Sequence, residues 1–459
     1  MPHKNVRSNS TLPLRETVSH NYDMPFAAPE APTNPGSPPE TAGYRNLYIL
    51  LLVCGFILRF GLVLWKKTYI GSSSDNLPFG EEICSIADHI VRGQGFSSPF
   101  HRDTGPTAWI APVYPYLVAL VFRLFGIYSA ASAIVLLGIQ CIIAAATGII
   151  IHALGRRTFG AQVGFCAAWI WALSPIFFRW PVSWIWDFAA SAFLLSAAFI
   201  VTLDVAEKNT RKLWLSLGAL WAVIALTNPA LLSVMPFTFL YAAFVNHRSF
   251  RPWLASAALA GVLFAALVSP WLIRNERVFG RSVFFRSNFW FEFHLGNYHF
   301  SNGMGFSGKH PGANAAVFKE YAAMGEMGFL DYYKKDGLRF VREYPSEFLD
   351  LTLHRTWWFW DGTSLNYQSR EWWKPWEFWP LSLGGWLGLL FVLTRLPRGG
   401  LLFADALLVY PVPYYFVYPV AKYRHAIEPE LLLLSVYFVF VLWSEIHALA
   451  HRKAQLRAR

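Results

Sequence analysis

Hydrophobic residues fill most of this chain in stretches of about 20 residues, and polar stretches separate them. A single helix needs about 20 apolar residues to cross a hydrocarbon layer of about 30 Å. The pattern therefore predicts an all-α polytopic membrane protein with about ten transmembrane helices. The predicted spans are residues 46–65, 129–151, 160–178, 184–203, 213–229, 231–246, 253–273, 377–394, 401–419 and 427–446.

Two long polar segments interrupt the predicted spans: the first long loop (residues 66–128) and the second long loop (residues 274–376). Polar tails lie at both ends. Residues 1–43 are rich in Pro, Ser, Thr and Asn, cannot bury a core and are predicted to be disordered. The predicted divisions are the tail 1–43, a membrane module 44–273 that includes the first long loop, the second long loop 274–376, the terminal membrane helices 377–446 and the basic tail 447–459.

The first long loop contains two short segments with helical patterns. Residues 83–91 place apolar side chains at helical spacing, and glycines follow. Residues 112–126 are apolar but too short to span comfortably, which is typical of a helix in the membrane interface. Both segments are therefore predicted to form interfacial helices.

The charge distribution orients the chain in the membrane. The chain has 459 residues, 15% of them charged, and a formal net charge of +11. Basic residues flank the spans in short clusters and do not form a nucleic-acid-binding patch, which argues against a nucleic-acid partner. By the positive-inside rule both termini are cytoplasmic and both long loops lie outside. Lys66 and Lys67 conflict with this orientation locally, and snorkelling at a helix end explains them.

Acidic residues in two places are candidates for catalysis. Glu82, with Glu81 beside it, lies in the first long loop, and Asp187 begins a later predicted span. A carboxylate can take a proton from an acceptor hydroxyl. The alternative for Glu82 and Asp187 is structural, because acids at a helix start are stabilised by the helix dipole.

Basic residues on the same predicted side are candidates for phosphate binding. Arg286, Arg355 and Arg424 lie in aromatic surroundings, and arginine forms bidentate contacts with phosphate oxygens. The alternative is that they are ordinary interface arginines. His101 and His425 are weak candidates for metal or acid–base roles. No clustered His and Cys metal site or nucleotide-binding motif is apparent, so no cofactor is assigned, and a divalent cation stays open.

A run of motifs in the first long loop carries a family resemblance. It consists of Glu82 with Ile86-Ala87, then Gly93-Gln94-Gly95-Phe96, Gly105-Pro106-Thr107-Ala108, and Pro112-Val113-Tyr114-Pro115-Tyr116 with Phe125-Gly126. These motifs resemble the bacterial branch of glycosyltransferase family 39, multi-span enzymes of the GT-C fold related to protein O-mannosyltransferases and the lipid A aminoarabinose transferase. The resemblance extends to Pro270-Trp271 with Arg274-Asn275, and to Tyr423-Arg424 with Glu428-Pro429.

The resemblance implies a polyprenyl-phosphate sugar donor, an acceptor on the outer side and inversion at the anomeric carbon. It also implies a catalytic acid in the first long loop, often in an Asp-Glu pair. Here the pair is Glu81-Glu82, so the base is one of these two or Asp75. We favour Glu82, because its spacing to the following motifs is closest to the family pattern. Asp187 matches a second family acid in position.

The leading hypothesis is a GT-C-like glycosyltransferase of the bacterial inner (plasma) membrane with a periplasmic active site. It would transfer a sugar from a polyprenyl-phosphate donor to a lipid, glycan or protein acceptor. One alternative is a flippase or transporter of lipid-linked sugars, and another is a non-catalytic subunit of an envelope-glycan assembly complex. The predicted catalytic residues are Glu82, Glu81 and Asp187, and the predicted substrate-binding residues are Arg286, Arg355, Tyr423, Arg424, His425 and Tyr114.

Overall fold

The structure is a computed structural model that describes residues 44–70, 79–245, 250–305, 307–362 and 374–457. Asp75 and the predicted tail 1–43 lie outside the described residues. Within these ranges the chain is helical, and its β-pairing consists of two isolated bridges. The all-α prediction is therefore confirmed.

The α-helices are numbered in chain order. They are α1 (Arg45–Lys66), α2 (Glu81–Val91), α3 (Val113–Phe125), α4 (Ala130–Thr158), α5 (Ala161–Leu173), α6 (Arg179–Ser183), α7 (Phe188–Lys208), α8 (Arg211–Thr227), α9 (Met235–Val245), α10 (Phe250–Phe279), α11 (Phe289–Gly296), α12 (Ala315–Glu343), α13 (Pro345–Asp361), α14 (Lys374–Arg395), α15 (Leu401–Leu408), α16 (Val412–Phe416) and α17 (Glu428–Arg457). Short 3₁₀ helices cover Pro175–Phe177, Pro229–Ser233, Ser307–Lys309 and Ala421–Ile427.

Six helices in the described part of the chain are long and apolar enough to cross a membrane, which confirms a multi-pass protein. The predicted number of about ten is not confirmed. The expected span 160–178 ends as a helix at Leu173, because Ser174 is extended before Pro175. The expected span 401–419 is divided into α15 and α16 around Pro411. The six are Arg45–Lys66, Ala130–Thr158, Phe188–Lys208, Trp253–Phe279, Trp376–Arg395 and Ala421–Arg457.

Helix α4 is central to the bundle and packs against α1, α5 and α7, while α14 packs along α17. Arg59 of α1 is fully buried in this packing, a costly position for a charge inside a membrane helix. Its guanidinium donates to the carbonyls of Trp171 at 2.7 Å and Ala172 at 3.3 Å. Because α5 ends here, these carbonyls have no hydrogen-bond donor within the helix. The buried guanidinium of Arg59 supplies the missing donors, and the carbonyls in turn stabilise its charge.

The first long loop folds against the start of α7. Its two predicted helices are confirmed as α2 and α3. Phe79, just before α2, forms a parallel bridge with Ile185, just before α7. The bridge brings the acidic start of α2 beside Trp186 and Asp187, although about a hundred residues separate them in sequence.

A buried carboxylate, Glu326 of α12, helps to anchor the second long loop to the first. Gly325, with a φ of 67°, kinks α12 in front of it. Glu326 accepts hydrogen bonds from the Ala108 amide at 2.9 Å, from Ser287 at 2.7 Å and from Tyr321 at 2.9 Å, and a further one from Thr107. One side chain thereby joins three distant segments. Its burial raises the pKa of the carboxyl above its ordinary value.

We expect Glu326→Ala to lower the free energy of unfolding by about 3 kcal/mol, because it leaves buried donors unpaired and opens a cavity. The measurement is thermal unfolding in detergent followed by tryptophan fluorescence. The matched control is Glu320→Ala, since Glu320 lies exposed on the same helix. Equal unfolding temperatures for the two variants would contradict the anchoring role.

Candidate functional site

The start of α7 is held in place by a buried polar contact below it. Gln140 of α4 accepts the Trp186 amide hydrogen at 2.8 Å and donates to the carbonyls of Pro181 and Trp184. Tyr114 donates to the same Gln140 oxygen at 2.5 Å. The structure therefore places Tyr114, predicted to bind substrate, beneath the site, where its hydroxyl supports the segment that carries Asp187.

A cavity of about 410 Å³ opens in front of α7. Asp187, Arg286, Glu292 and Tyr423 all line it, so residues from three separate parts of the chain meet there. The Tyr423 ring stacks on Tyr414 with centroids 4.7 Å apart. The cavity thus combines acidic groups, a cation and aromatic walls, a combination suited to a small polar ligand with an apolar attachment.

Asp187 is a buried carboxylate at the cavity wall. Burial raises its pKa to about 6, and the positive charge of Arg286 opposes that rise. Ser191 donates to its Oδ2 at 3.4 Å, one turn into α7. Asp187 is therefore poised to change its protonation state near neutral pH, as acid–base groups in active sites commonly do.

Lys422 interacts electrostatically with charged residues of both the cavity and the first long loop. It lies within electrostatic reach of Glu82, Glu292, Asp187 and Arg286. Its Nζ sits 4.0 Å from the centroid of the Trp184 ring and 5.5 Å from that of Trp186. A cation with little water around it is stabilised by aromatic faces and by nearby carboxylates.

The two predicted catalytic glutamates differ in their surroundings. Burial, together with repulsion from Glu82, raises the pKa of Glu81 to about 7. The backbone at Gly312 lies against Glu81, and a Cβ at Gly312 would stand only 2.0 Å from its Oε1. Glu82 instead lies 3.4 Å from His310 Nε2 and is the carboxylate that acts most strongly on Lys422.

Arg286 is the one of the three predicted phosphate-binding arginines that lines this cavity. Arg355 is fully buried, and its guanidinium donates to the carbonyls of Gly296, Gly303 and Phe416 and to Asn297 Oδ1. Burial lowers its pKa to about 10. The structure therefore does not bring Arg355 to the predicted ligand, because backbone acceptors already bind its donors.

Arg424 and His425 also point away from the cavity. Arg424 is buried and donates to the Trp360 carbonyl, to Ser382 Oγ at 2.8 Å and to Glu428. His425 Nδ1 lies 2.6 Å from Glu428 Oε2. These contacts tie the 3₁₀ turn to α13, α14 and α17, so both residues support Lys422 and Tyr423 from behind.

No group of three or more His, Cys, Asp or Glu side chains in the described ranges lies close enough to hold a metal ion. His101 is placed beside Tyr128, with 3.2 Å between its Nδ1 and the tyrosine hydroxyl. The divalent cation that the sequence left open as a cofactor therefore has no set of three such ligands among these residues.

Several residues of the site escaped the sequence analysis. Lys422 directly precedes Tyr423, Arg424 and His425, so the sequence analysis named its neighbours but not Lys422 itself. Glu292 and His310 belong to the second long loop, where no local motif marks them. Asn288 Nδ2 donates to Glu292 at 2.8 Å, and Tyr418 donates to its other oxygen.

Solved structures with similar chain traces come from two kinds of membrane protein. AglB, the archaeal oligosaccharyltransferase from Archaeoglobus fulgidus, in complex with an inhibitory peptide and a dolichol-phosphate, is 14% identical with a TM-score of 0.47, covering 91% of this chain and 53% of its own. The same organism's oligosaccharyltransferase tethered to an acceptor peptide is 12% identical with a TM-score of 0.49, covering 89% and 51%. This chain thus spans about half the length of these proteins.

ArnT from Cupriavidus metallidurans, bound to undecaprenyl phosphate, is 13% identical with a TM-score of 0.38, covering 87% of this chain and 78% of its own. No curated protein sequence matches the chain. Residues 109–273 do match a family model, that of the dolichyl-phosphate-mannose-protein mannosyltransferases. This part of the chain is similar to that glycosyltransferase family, and the resemblance predicted from the sequence is thereby confirmed.

Proposed function

We propose that this protein is a membrane glycosyltransferase that moves a sugar from a polyprenyl-phosphate donor to an acceptor hydroxyl on the periplasmic side of the bacterial inner membrane. The observation that carries the proposal is that Asp187 and Arg286 line one cavity, while Lys422 lies within electrostatic reach of both and of Glu82. The family match over residues 109–273 supports a lipid-phosphate donor.

The reaction needs a base and a place for the departing phosphate charge. Glu82 would take the proton of the acceptor hydroxyl, whose oxygen then bonds to the anomeric carbon. The bond between that carbon and the phosphate oxygen breaks, and the electron pair leaves with the lipid phosphate. Attack on the face opposite the leaving group inverts the anomeric carbon.

The cations would stabilise the leaving group. Lys422 and Arg286 both act on Asp187 and would hold phosphate oxygens near it, since fixed charges gain strength where water is excluded. Asp187 would orient the acceptor, and Tyr423 with Tyr414 would pack against the sugar or the first part of the lipid. Arg355, Arg424, His425 and Tyr114 keep supporting roles in this proposal.

The direct test is donor turnover by purified protein in nanodiscs, with radiolabelled polyprenyl-phosphate sugars and envelope extract as acceptor. We expect Glu82→Gln to lower kcat at least about a hundredfold, because the amide cannot accept the proton. The matched control is Asp88→Asn on the same helix, where Asp88 pairs with the exposed Arg92. Undiminished turnover in Glu82→Gln would remove Glu82 from the role of base.

Transport of labelled lipid-linked sugar in vesicles without acceptor would favour the transporter alternative. Turnover that appears only after a co-purifying partner is added would favour the assembly subunit. Either result, with no transfer by the wild type alone, would contradict the proposal.

We expect Lys422→Met to raise KM for the donor about thirtyfold, because a charge-assisted contact of about 2 kcal/mol is lost. The measurement is the donor concentration dependence of turnover, at fixed acceptor. Lys335→Met is the control, since Lys335 is an exposed lysine of α12. A KM unchanged from wild type would exclude Lys422 from phosphate binding.

The raised pKa of Glu81 predicts a pH-dependent stability. Its carboxyl has a pKa of about 7 in the folded protein against an ordinary value of 4.5, so the folded state loses stability as pH rises between these values. Glu81→Gln removes this loss. We expect the variant to exceed the wild type in unfolding temperature at pH 8 but not at pH 5.

The measurement is thermal unfolding in detergent at both pH values. Glu343→Gln, at an exposed position of α12, is the control and should follow the wild type at each pH. A constant difference between Glu81→Gln and the wild type at both pH values would contradict the assigned burial of Glu81.

A further inference from the structure

The second long loop reaches both glutamates at neighbouring positions. His310 Nε2 lies 3.4 Å from Glu82 Oε1, and Gly312 packs against Glu81. The loop therefore contacts Glu82 through a side chain and Glu81 through backbone. Only the first of these contacts brings a titratable group to the proposed base.

The ring of His310 is held among aromatic side chains. Its centroid lies 5.4 Å from that of Phe100, 5.7 Å from Phe291 and 6.2 Å from Trp109. The ring planes of His310 and Phe100 are nearly perpendicular, at 86°. Such edge-to-face packing restricts how the imidazole can turn, so the direction in which its nitrogens point is fixed.

The backbone around His310 assigns its protons. The Gly312 amide donates to His310 Nδ1 at 3.2 Å, so Nδ1 is the acceptor and a neutral ring carries its hydrogen on Nε2. Nε2 is the nitrogen nearest Glu82. The turn itself is closed by Asn314, whose side chain donates to the Gly308 carbonyl at 2.7 Å and whose amide donates to the His310 carbonyl.

We propose that His310 is a positioning residue for Glu82, an inference that rests on the proposed function. Nε2, which carries the hydrogen of the neutral ring, lies on the Oε1 side of Glu82 and leaves Oε2 as the oxygen that receives the acceptor proton. During transfer the proton passes from the acceptor hydroxyl to Oε2, the acceptor oxygen bonds to the anomeric carbon, and the lipid phosphate leaves with the electron pair. His310 keeps its own proton throughout.

Other charged groups also act on Glu82, but less specifically. Glu81 repels it, while Lys422 and His101 lie within electrostatic reach. His310 contributes a nitrogen, Nε2, at 3.4 Å from Glu82 Oε1. Lys422 already supplies a positive charge near Glu82. The distinct contribution of His310 is therefore to orient the Glu82 carboxylate.

The test compares His310→Phe, which keeps a ring among the aromatic side chains, with His310→Gln, which keeps an N–H donor. We expect His310→Phe to lower kcat about 10- to 100-fold with KM for the donor unchanged, because the base loses its alignment. His310→Gln should recover part of that loss. In a Glu82→Gln background, His310→Phe should cause no further loss, because the two residues act as a unit.

The matched control is His354→Phe, since His354 is an exposed histidine of α13, and it should turn over like the wild type. Unchanged kcat in His310→Phe would overturn the proposal. Equal losses in the wild-type and Glu82→Gln backgrounds would also overturn it, because His310 would then act independently of Glu82.

If the wild type transfers no sugar, the proposed function is overturned. The contact between His310 and Glu82 can still be measured through protein stability. Unfolding temperatures of the wild type, His310→Phe, Glu82→Gln and the double variant then form a cycle. Additive changes would overturn the contact between the two side chains. Non-additive changes would support it without the reaction, so the two failures are distinguishable.

Discussion

The attraction between Lys422 and the acidic groups around it is the interaction on which the site depends. Glu82, Asp187 and Glu292 all act on this one lysine. Carboxylates gathered in a water-poor site repel one another and favour protonation unless a cation lies among them. The raised pKa of Glu81 and of Asp187 indicates how strong that tendency is here. Lys422 therefore offsets the mutual repulsion of the carboxylates that act on it.

The surrounding structure serves to bring these charges together and hold them. The Phe79–Ile185 bridge joins the start of α2 to the start of α7, and Gln140 fixes the segment between Pro181 and Trp186. Glu326 fastens the second long loop onto the first. Gln140 and Glu326 are both buried polar side chains with several partners, because one unsatisfied group in such a place would cost more than the contact contributes.

Local sequence was sufficient for the helices and for part of the site. The first predicted span, residues 46–65, is close to the observed α1, because an apolar run determines a membrane helix by itself. Local sequence did not distinguish the arginine that lines the cavity from the arginine that is bound by backbone carbonyls. Arg286 and Arg355 both lie among aromatic residues in sequence, and only the carbonyls around Arg355 distinguish them. Lys422 and His310 meet Glu82 from more than 200 residues away, which no spacing rule detects.

The wide separation of these residues has a consequence for synthesis of the protein. Glu82 and Asp187 are made early, whereas Lys422 belongs to the 3₁₀ turn that precedes α17. A nascent chain thus carries its acidic groups to the membrane surface before their counter-charge has left the ribosome. The attraction between Lys422 and these carboxylates is therefore absent until the turn before α17 has been made, and the site gains its charge balance only at that stage of synthesis.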